Sequence, residues 1–235
     1  MPNKTILIVE DEIKIANLLQ DYLKKADYQT VCLNDGEQVV AQVRQNPPDL
    51  ILLDILLPGK DGMTICREIR QFSMVPIIMV TAKVEEIDRL LGLEIGADDY
   101  ICKPFSPREV VARVKAILRR VQQPNLITQE QIVLGEIVVN TISHQATVAE
   151  QLLKLTPTEF ALLQFFVSHP NQVFARKILI NQIQGYSFAG YERTMDSHIK
   201  NLRKKISEQL PKKEVISSIY GIGYKLNFPF LEVIP

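Results

Sequence analysis

At 235 residues and 46% hydrophobic content, the chain can bury a real core and exceeds the usual size of one domain, so two modest domains are expected. Charged residues make up 23% and the formal net charge is zero, which excludes a chain whose bulk charge demands a polyanionic partner or keeps it disordered. Cys32, Cys66 and Cys102 are odd in number and far apart, with neither a Cys-x-x-Cys nor a Cys/His pattern. A disulfide framework and a zinc site are thereby excluded, and the three read as buried thiols.

The first residues, MPNK, run straight into the apolar TILIV and then into acids, which is neither a signal peptide nor a spanning helix. A cytoplasmic protein without membrane insertion is expected. Short apolar runs then alternate with helical spacing: TILIV at 5–9, TVCL at 30–33, LILL at 50–53, PIIMV at 76–80 and YI at 100–101. Between them Ile15, Leu18, Leu19, Tyr22 and Leu23, then Val39, Val40 and Val43, then Ile65 and Ile69, recur at helical intervals. That alternation predicts α/β architecture with a parallel sheet covered by helices on both faces. After Pro107, the pattern Val110, Val111, Val114, Ile117, Leu118, Val121 predicts a closing helix, and VQQPNLIT reads as a linker. The expected division is 1–121 for the first domain, 122–130 for the linker, 131–229 for the second domain and 230–235 for a tail.

The second half opens with short β-like pieces near 132–134, 137–140, 146–148 and 152–155 without helices between them. TPTE at 156–159 then supplies an N-cap, a proline at the first helical position and an acid three residues past the cap, ahead of FALLQFFV. Further helices are expected around 176–182 and 194–209, and YGIGYKL near the end signals a hairpin around Gly221 and Gly223.

In a doubly wound sheet, ligands collect at the carboxyl ends of the strands. Here those ends carry Glu10 and Asp11, then Asp54, then Thr81, with Lys103-Pro104 after the fifth run. Singly, each is an ordinary cap, turn former or solvated charge. Jointly they bring three carboxylates, a hydroxyl and an ammonium to one crevice. Clustered carboxylates repel unless a cation sits among them, and hard oxygen donors at a partly open site suit Mg²⁺.

IVEDE, LLDILLPGKDG, VTA and DDYICKPF, in this order and spacing, resemble the receiver domain of two-component response regulators over residues 4–121. The resemblance implies a flavodoxin-like (βα)5 domain with strand order 2-1-3-4-5. It implies that Asp54 accepts a phosphoryl group from the phosphohistidine of a membrane sensor histidine kinase, and that Glu10, Asp11, Asp54 and the main-chain carbonyl of Leu56 hold Mg²⁺. Thr81 would hydrogen-bond a phosphoryl oxygen, Lys103 would pair with it, Tyr100 would swing inward as a switch, and the Lys103-Pro104 bond would be cis. A haloacid-dehalogenase-type phosphatase would want a second Asp where Leu56 stands. A flavodoxin-like FMN site would want a Ser/Thr/Gly-rich loop after the first strand, where Glu10 and Asp11 would repel the phosphate.

In YERTMDSHIKNLRKKISEQL, at 191–210, Met195, Ile199, Leu202 and Ile206 form one stripe at 100° per residue. Arg193, Ser197, Lys200 and Lys204 fall opposite, flanked by Thr194 and Asn201. With the β pieces before it and YGIGYKL after it, residues 131–228 resemble the winged helix-turn-helix effector of the OmpR/PhoB family, an α+β domain. This implies a helix in the major groove of promoter DNA, with Ser197, Asn201 and Lys200 toward base edges, Arg193, His198, Arg203 and Lys204 nearer phosphates, and Thr194 also among the DNA-binding residues. Asn201 is the first choice for base reading, because an amide suits adenine. Tyr220 stands where the family often has Arg before Gly-x-Gly; a wing contact from Tyr220 or Lys225 competes with a plain packing role for Tyr220 and Tyr224.

EEIDRLLGLEIGADDY and SPREVVARVKAILRR resemble the family's dimer face. Arg89 would pair with Glu109, Glu94 with Lys115 and Asp99 with Arg113 across a two-fold, around Leu90, Leu93 and Val111. Runs such as DRLLGLEIGADDYICKPFSPREVVARVKAILRR are most similar to the BaeR-type subfamily, which points to envelope-stress or efflux genes. The expectation is a non-enzymatic, phosphorylation-gated regulator that forms a homodimer on activation and works with RNA polymerase. The alternative is a constitutive DNA-binding protein whose first domain serves only as a dimerisation module.

Overall fold

The computed structural model describes residues 4–82, 92–122, 130–184 and 192–232. It divides into two compact units, Met1–Leu118 and Arg119–Pro235, with the boundary in the last turn of the helix Pro107–Gln122.

The first unit carries β1 (Thr5–Val9), α1 (Ile13–Lys24), β2 (Gln29–Leu33), α2 (Val39–Gln45), β3 (Leu50–Leu53), α3 (Gly62–Phe72), β4 (Ile77–Thr81), β5 (Asp99–Cys102) and α4 (Pro107–Gln122). A short helical stretch at 92–95 precedes β5. The five strands are parallel, in the order β2-β1-β3-β4-β5. Period-two alternation explains why the strands read as unbroken apolar runs. Leu7, Val9, Ile51, Leu53, Ile77 and Met79 pack with Val39, Val43, Ile65 and Ile69 of α2 and α3. Their neighbours Ile6, Ile8, Leu50, Leu52, Ile78 and Val80 pack with Leu19 and Leu23 of α1 and with Val110, Val114 and Ile117 of α4.

β2 and β5 are the edge strands, and the expectation of three buried thiols is corrected there: Cys66 is buried, but Cys32 on β2 is exposed and Cys102 on β5 is only partly buried. Each edge strand has sheet on one side only. Burial pushes the Cys66 thiol up to about 11.

The second unit begins with an antiparallel meander of β6 (Gln131–Leu134), β7 (Ile137–Asn140), β8 (Gln145–Val148) and β9 (Gln151–Leu152). Then come α5 (Pro157–Ser168), β10 (Val173–Ala175), α6 (Arg176–Gln184), α7 (Glu192–Ser207), β11 (Lys213–Ile219) and β12 (Gly223–Glu232). The last strands form a second sheet in the order β10-β12-β11. α5 starts as TPTE predicts: Thr156 N donates to Glu159 Oε2 at 2.9 Å and Glu159 N to Thr156 Oγ1 at 3.4 Å, with Pro157 at the first position. β11 is the first arm of the hairpin that Gly221 and Gly223 signal, whereas the three-residue β10, VFA, is too short to carry a strand pattern of its own.

Ile137, Val139 and Val148 of the meander share a core with Phe160, Leu163 and Phe166 of α5 and with Met195, Ile199, Leu202 and Ile206 of α7. The predicted stripe of α7 is therefore its buried face. Each such side chain contributes about 1.5–3 kcal/mol on burial. Lys205 Nζ donates to the buried Glu159 Oε2 at 2.5 Å, which ties α7 to the start of α5.

Candidate functional site

Parallel register aligns Val9 with Leu53, so the residues that follow β1 and β3 emerge side by side. Both remain pinned to the sheet: Asp54 N donates to Val9 O at 2.9 Å and Glu10 N to Leu33 O at 3.0 Å. The side chains of Glu10 and Asp54 are 1% and 3% exposed. Lys103 reaches between them from the end of β5, with Nζ donating to Glu10 Oε1 at 2.6 Å and to Asp54 Oδ2 at 2.7 Å, and with Glu12 Oε1 at 3.6 Å. Asp54 Oδ1 accepts from Leu56 N at 2.9 Å. Two buried carboxylates are tolerated because one ammonium bridges them.

The balance is incomplete. Glu10 Oε2 is buried without a hydrogen-bond partner. Burial above all, then the neighbouring Asp54 charge, pushes the Glu10 carboxyl up to about 6 against the pull of the Lys103 hydrogen bond. Burial works against the Lys103 ammonium, but its hydrogen bonds to Asp54 and Glu10 outweigh that and hold it above its ordinary value. Asp11 lies exposed beside them, and ligand oxygens of Glu10, Asp11 and Asp54 all fall within 4.8 Å of one another. Three hard donors with one oxygen unsatisfied fit a small divalent cation such as Mg²⁺. Leu56 meets the Asp54 carboxylate through its N–H.

Gly62 closes the site from below. A Cβ there would stand 2.1 Å from the Asp54 carbonyl oxygen, so only glycine lets α3 begin against the acceptor's own backbone. Asp61 caps that helix by accepting from Thr64 N at 3.0 Å. Thr81 ends β4 fully buried, and its carbonyl accepts from Lys103 N at 2.8 Å, which joins it to the same corner. The Lys103-Pro104 bond is cis. Tyr100 is already fully buried, in the cluster that holds Ile77, Met79, Leu93 and Ala97.

The residues expected at a dimer face fall in different places in the chain's own fold. Arg89 and Leu90 lie outside the described residues. Leu93 is wholly buried in the core of its own unit, which removes it from a surface patch, and Val111 is half-buried against the opposite helical layer. The pair expected across a two-fold forms inside one chain: Arg113 Nη1 donates to both Asp99 oxygens at 3.1 and 2.8 Å, and Arg113 Nη2 donates to Glu109 Oε1 at 2.6 Å. Arg113 and Asp99 are each 1% exposed, so burial leaves them to satisfy each other locally. Glu94 and Lys115 are exposed.

In the second unit, the expected DNA-facing residues separate. Lys200 and Lys204 are exposed, and Asn201, Arg203 and Lys225 are half-buried. Tyr220 is fully exposed at the hairpin tip, where Gly221 has φ of 71°. Thr194, Ser197 and His198 are buried, which corrects their expected presentation to DNA. His198 borders the apolar stripe, one turn from Met195 and beside Ile199; Ser197 lies opposite the stripe, and the helical wheel does not explain its burial. The Arg193 side chain lies outside the described set. Of the two tyrosines, Tyr224 packs and Tyr220 does not.

A polar cluster that sequence reasoning missed sits where α6, α7 and the hairpin meet. Asp196 Oδ1 accepts from Arg176 Nε at 2.7 Å and from the Tyr224 hydroxyl at 2.6 Å. The guanidinium groups of Arg176 and Arg203 lie 5.0 and 5.3 Å from the centre of the Tyr224 ring, and Arg203 Nη2 donates to Ser218 Oγ at 3.0 Å. Burial first, then the bond to Asp196, raises the Tyr224 hydroxyl, while burial lowers Arg203. No local pattern announces the cluster, since its members stand 20 and 28 residues from Asp196.

Residues 6–115 match the family model of the response regulator receiver domain, and residues 150–226 match that of the transcriptional regulatory protein C terminal domain. The chain is 54% identical over 220 residues to the transcriptional regulatory protein BaeR of Escherichia coli O6:H1, covering 94% of this chain and 91% of the relative. It is 45% identical over 235 residues to the alkaline phosphatase synthesis transcriptional regulatory protein PhoP of Bacillus subtilis, covering 97% and 98%. Among solved structures, the response regulator DrrB, described as a Thermotoga maritima OmpR/PhoB homolog, aligns with a TM-score of 0.52 at 25% identity, covering 96% of this chain and 99% of that one.

Proposed function

The chain belongs to the OmpR/PhoB-type two-component response regulators, with a receiver followed by a winged-helix DNA-binding domain, and from that premise we propose that it is a phosphorylation-gated transcription factor. The observation that carries the proposal is the Lys103 ammonium held at 2.6 and 2.7 Å between the buried carboxylates of Glu10 and Asp54. A carboxylate oxygen of Asp54 attacks the phosphorus of a kinase phosphohistidine. The P–N bond breaks with its electron pair going to the imidazole nitrogen, and an acyl phosphate remains on Asp54. Lys103 exchanges one carboxylate contact for the phosphoryl oxygens, and Thr81 donates its hydroxyl to them. Such a transfer needs positioning and neutralised charge more than a strong base. Glu10, Asp11, Asp54 and the Leu56 carbonyl are the residues to hold Mg²⁺, which when bound neutralises charge on the transferred group.

Tyr100 and Thr81 then couple the pocket to a homodimer face, to which the exposed Glu94 and Lys115 are available. Pairing two winged domains raises their effective concentration on paired half-sites. Lys200, Asn201, Arg203 and Lys204 of α7, with Tyr220 and Lys225 of the hairpin, are the residues to meet DNA, Asn201 toward a base edge. The cytoplasm is the expected compartment, a membrane sensor histidine kinase the phosphodonor, RNA polymerase the downstream partner, and envelope-stress or efflux genes the targets, the last by likeness to BaeR. No helix among the described residues is long and apolar enough to cross a membrane.

One observation favours a second reading, a constitutive DNA binder with the receiver as scaffold: Tyr100 already lies inside the core. Treating the protein with Mg²⁺ and acetyl phosphate, while following mass, oligomeric state and DNA binding, separates the two. One added phosphoryl group with a shift to dimer and tighter DNA binding supports the switch; labelling without either shift supports the scaffold.

A further inference from the structure

The proposed base-reading surface is made of two parts that the chain does not join directly. α7 carries Lys200, Asn201 and Lys204, whereas Tyr220 and Lys225 belong to the β11–β12 hairpin, beyond the end of the helix. A helix and a wing can report one DNA sequence only if their spacing is fixed, because a flexible wing contributes to affinity and little to register. Something must set that spacing. The apolar core holds the inner faces, but on the solvent side one atom gathers the parts.

Asp196 Oδ1 receives Arg176 Nε from the first residue of α6 and the Tyr224 hydroxyl from β12. Asp196 itself stands on α7, so three elements converge on one oxygen. Tyr224 faces Ser218 across the β11–β12 ladder, and Ser218 Oγ takes a hydrogen bond from Arg203 of α7, two turns beyond Asp196. The hairpin is thus gripped at two points along the same helix. Gly223 lets the wing come this close, since a Cβ there would stand 2.0 Å from the Phe174 carbonyl oxygen on β10. The Arg176–Asp196 pair is about one-third exposed on either side, so a neighbouring phosphate could compete for Arg176 if Asp196 did not hold it.

We propose that Asp196 is a positioning residue for DNA recognition: by binding Tyr224 and Arg176 together it locks the wing to the recognition helix and keeps the Arg176 guanidinium from nonspecific phosphate contact. This rests on the DNA-binding function proposed above. Asp196 need not touch DNA. It converts two contact surfaces into one rigid reader, and its loss costs selectivity before it costs binding.

The test uses the full-length protein. Wild type is used to enrich a duplex from a randomised pool; affinities of wild type, Asp196→Asn, Tyr224→Phe and the double variant for that duplex and a scrambled one are then measured across a salt series. Asp196→Asn is expected to weaken the enriched duplex about tenfold, the scale of one lost charged hydrogen bond, with little change on the scrambled one. Its salt slope on scrambled DNA should steepen by about one as Arg176 is freed to meet phosphate. Tyr224→Phe should repeat the selectivity loss without the steeper slope, and the double variant should lose less than the two losses combined, as members of one network do. A merely structural role predicts equal losses on both duplexes, an unchanged slope and additive losses, and that pattern overturns the proposal. Failure of wild type to enrich any duplex overturns the DNA-binding function itself, and the positioning role with it.

Discussion

In the first unit, Glu10, Asp54 and Lys103 arrive from three strand ends and meet within 2.7 Å, buried, with the Lys103 ammonium bridging the two carboxylates and one Glu10 oxygen left without a partner. In the second, Lys200, Asn201, Lys204 and Tyr220 are spread along one helix and a hairpin tip, all exposed except the half-buried Asn201. The pocket is fixed by sheet register, which every core residue of the unit helps to enforce. The helix-and-wing surface is held from within by a shared apolar core and on its outer side by a few polar bonds. Damage should therefore be sharp in the first region and graded in the second.

The largest expected effect tests the sharp region. Asp54→Ala should abolish labelling by acetyl phosphate in Mg²⁺, read by intact mass; retained label would move the acceptor elsewhere and end the contrast. Arg113→Ala leaves Asp99 charged and buried, and by the cost of breaking a buried pair it should lower unfolding stability by about 3–5 kcal/mol in urea titrations. A loss under 1 kcal/mol would mean that the pair is wet in solution.

Glu10 gives a pH-dependent case. Its folded carboxyl is held at about 6 against an ordinary value of 4.5, so between these values the folded state keeps a proton the unfolded state has shed. Stability of the metal-free protein should therefore fall by about 2 kcal/mol as pH rises through that window, and Glu10→Gln should remove the fall. Mg²⁺ should reverse the fall in wild type and do less in the variant, as followed by thermal unfolding. No difference between the two proteins at pH 7.5 would count against a strained carboxylate.

The graded region gives smaller numbers. Asn201→Ala should cost about 1–3 kcal/mol on an enriched duplex and much less on a scrambled one. Equal losses would take Asn201 out of base reading. Tyr220→Ala, at a fully exposed tip, should leave unfolding stability within about 0.5 kcal/mol while weakening DNA binding modestly, and a large stability loss would contradict its exposure.

The same difference explains what the sequence discloses. Strand-end residues are legible because each follows an apolar run, so the sequence alone assigns Glu10, Asp54, Thr81 and Lys103 to one corner, and the parallel sheet with them. The stripe Met195, Ile199, Leu202, Ile206 was legible for the same reason, since periodicity reports burial. Periodicity does not report what lies across from a side chain. Ser197 falls on the polar side of α7 and is buried; Asp99 and Arg113 satisfy each other within one chain; Leu93 turns inward from a short helical stretch. The Asp196 cluster joins residues far apart in the chain, and β10 became a strand through pairing with β12 more than through its own pattern.

Gly62 has one more implication. With α3 beginning so near the Asp54 carbonyl that a methyl group cannot be inserted, the joint between strand and helix has no slack. A linkage without slack transmits displacement rather than absorbing it. Whatever pushes on Asp54 is felt at the head of α3, and whatever tugs α3 is felt at the acceptor.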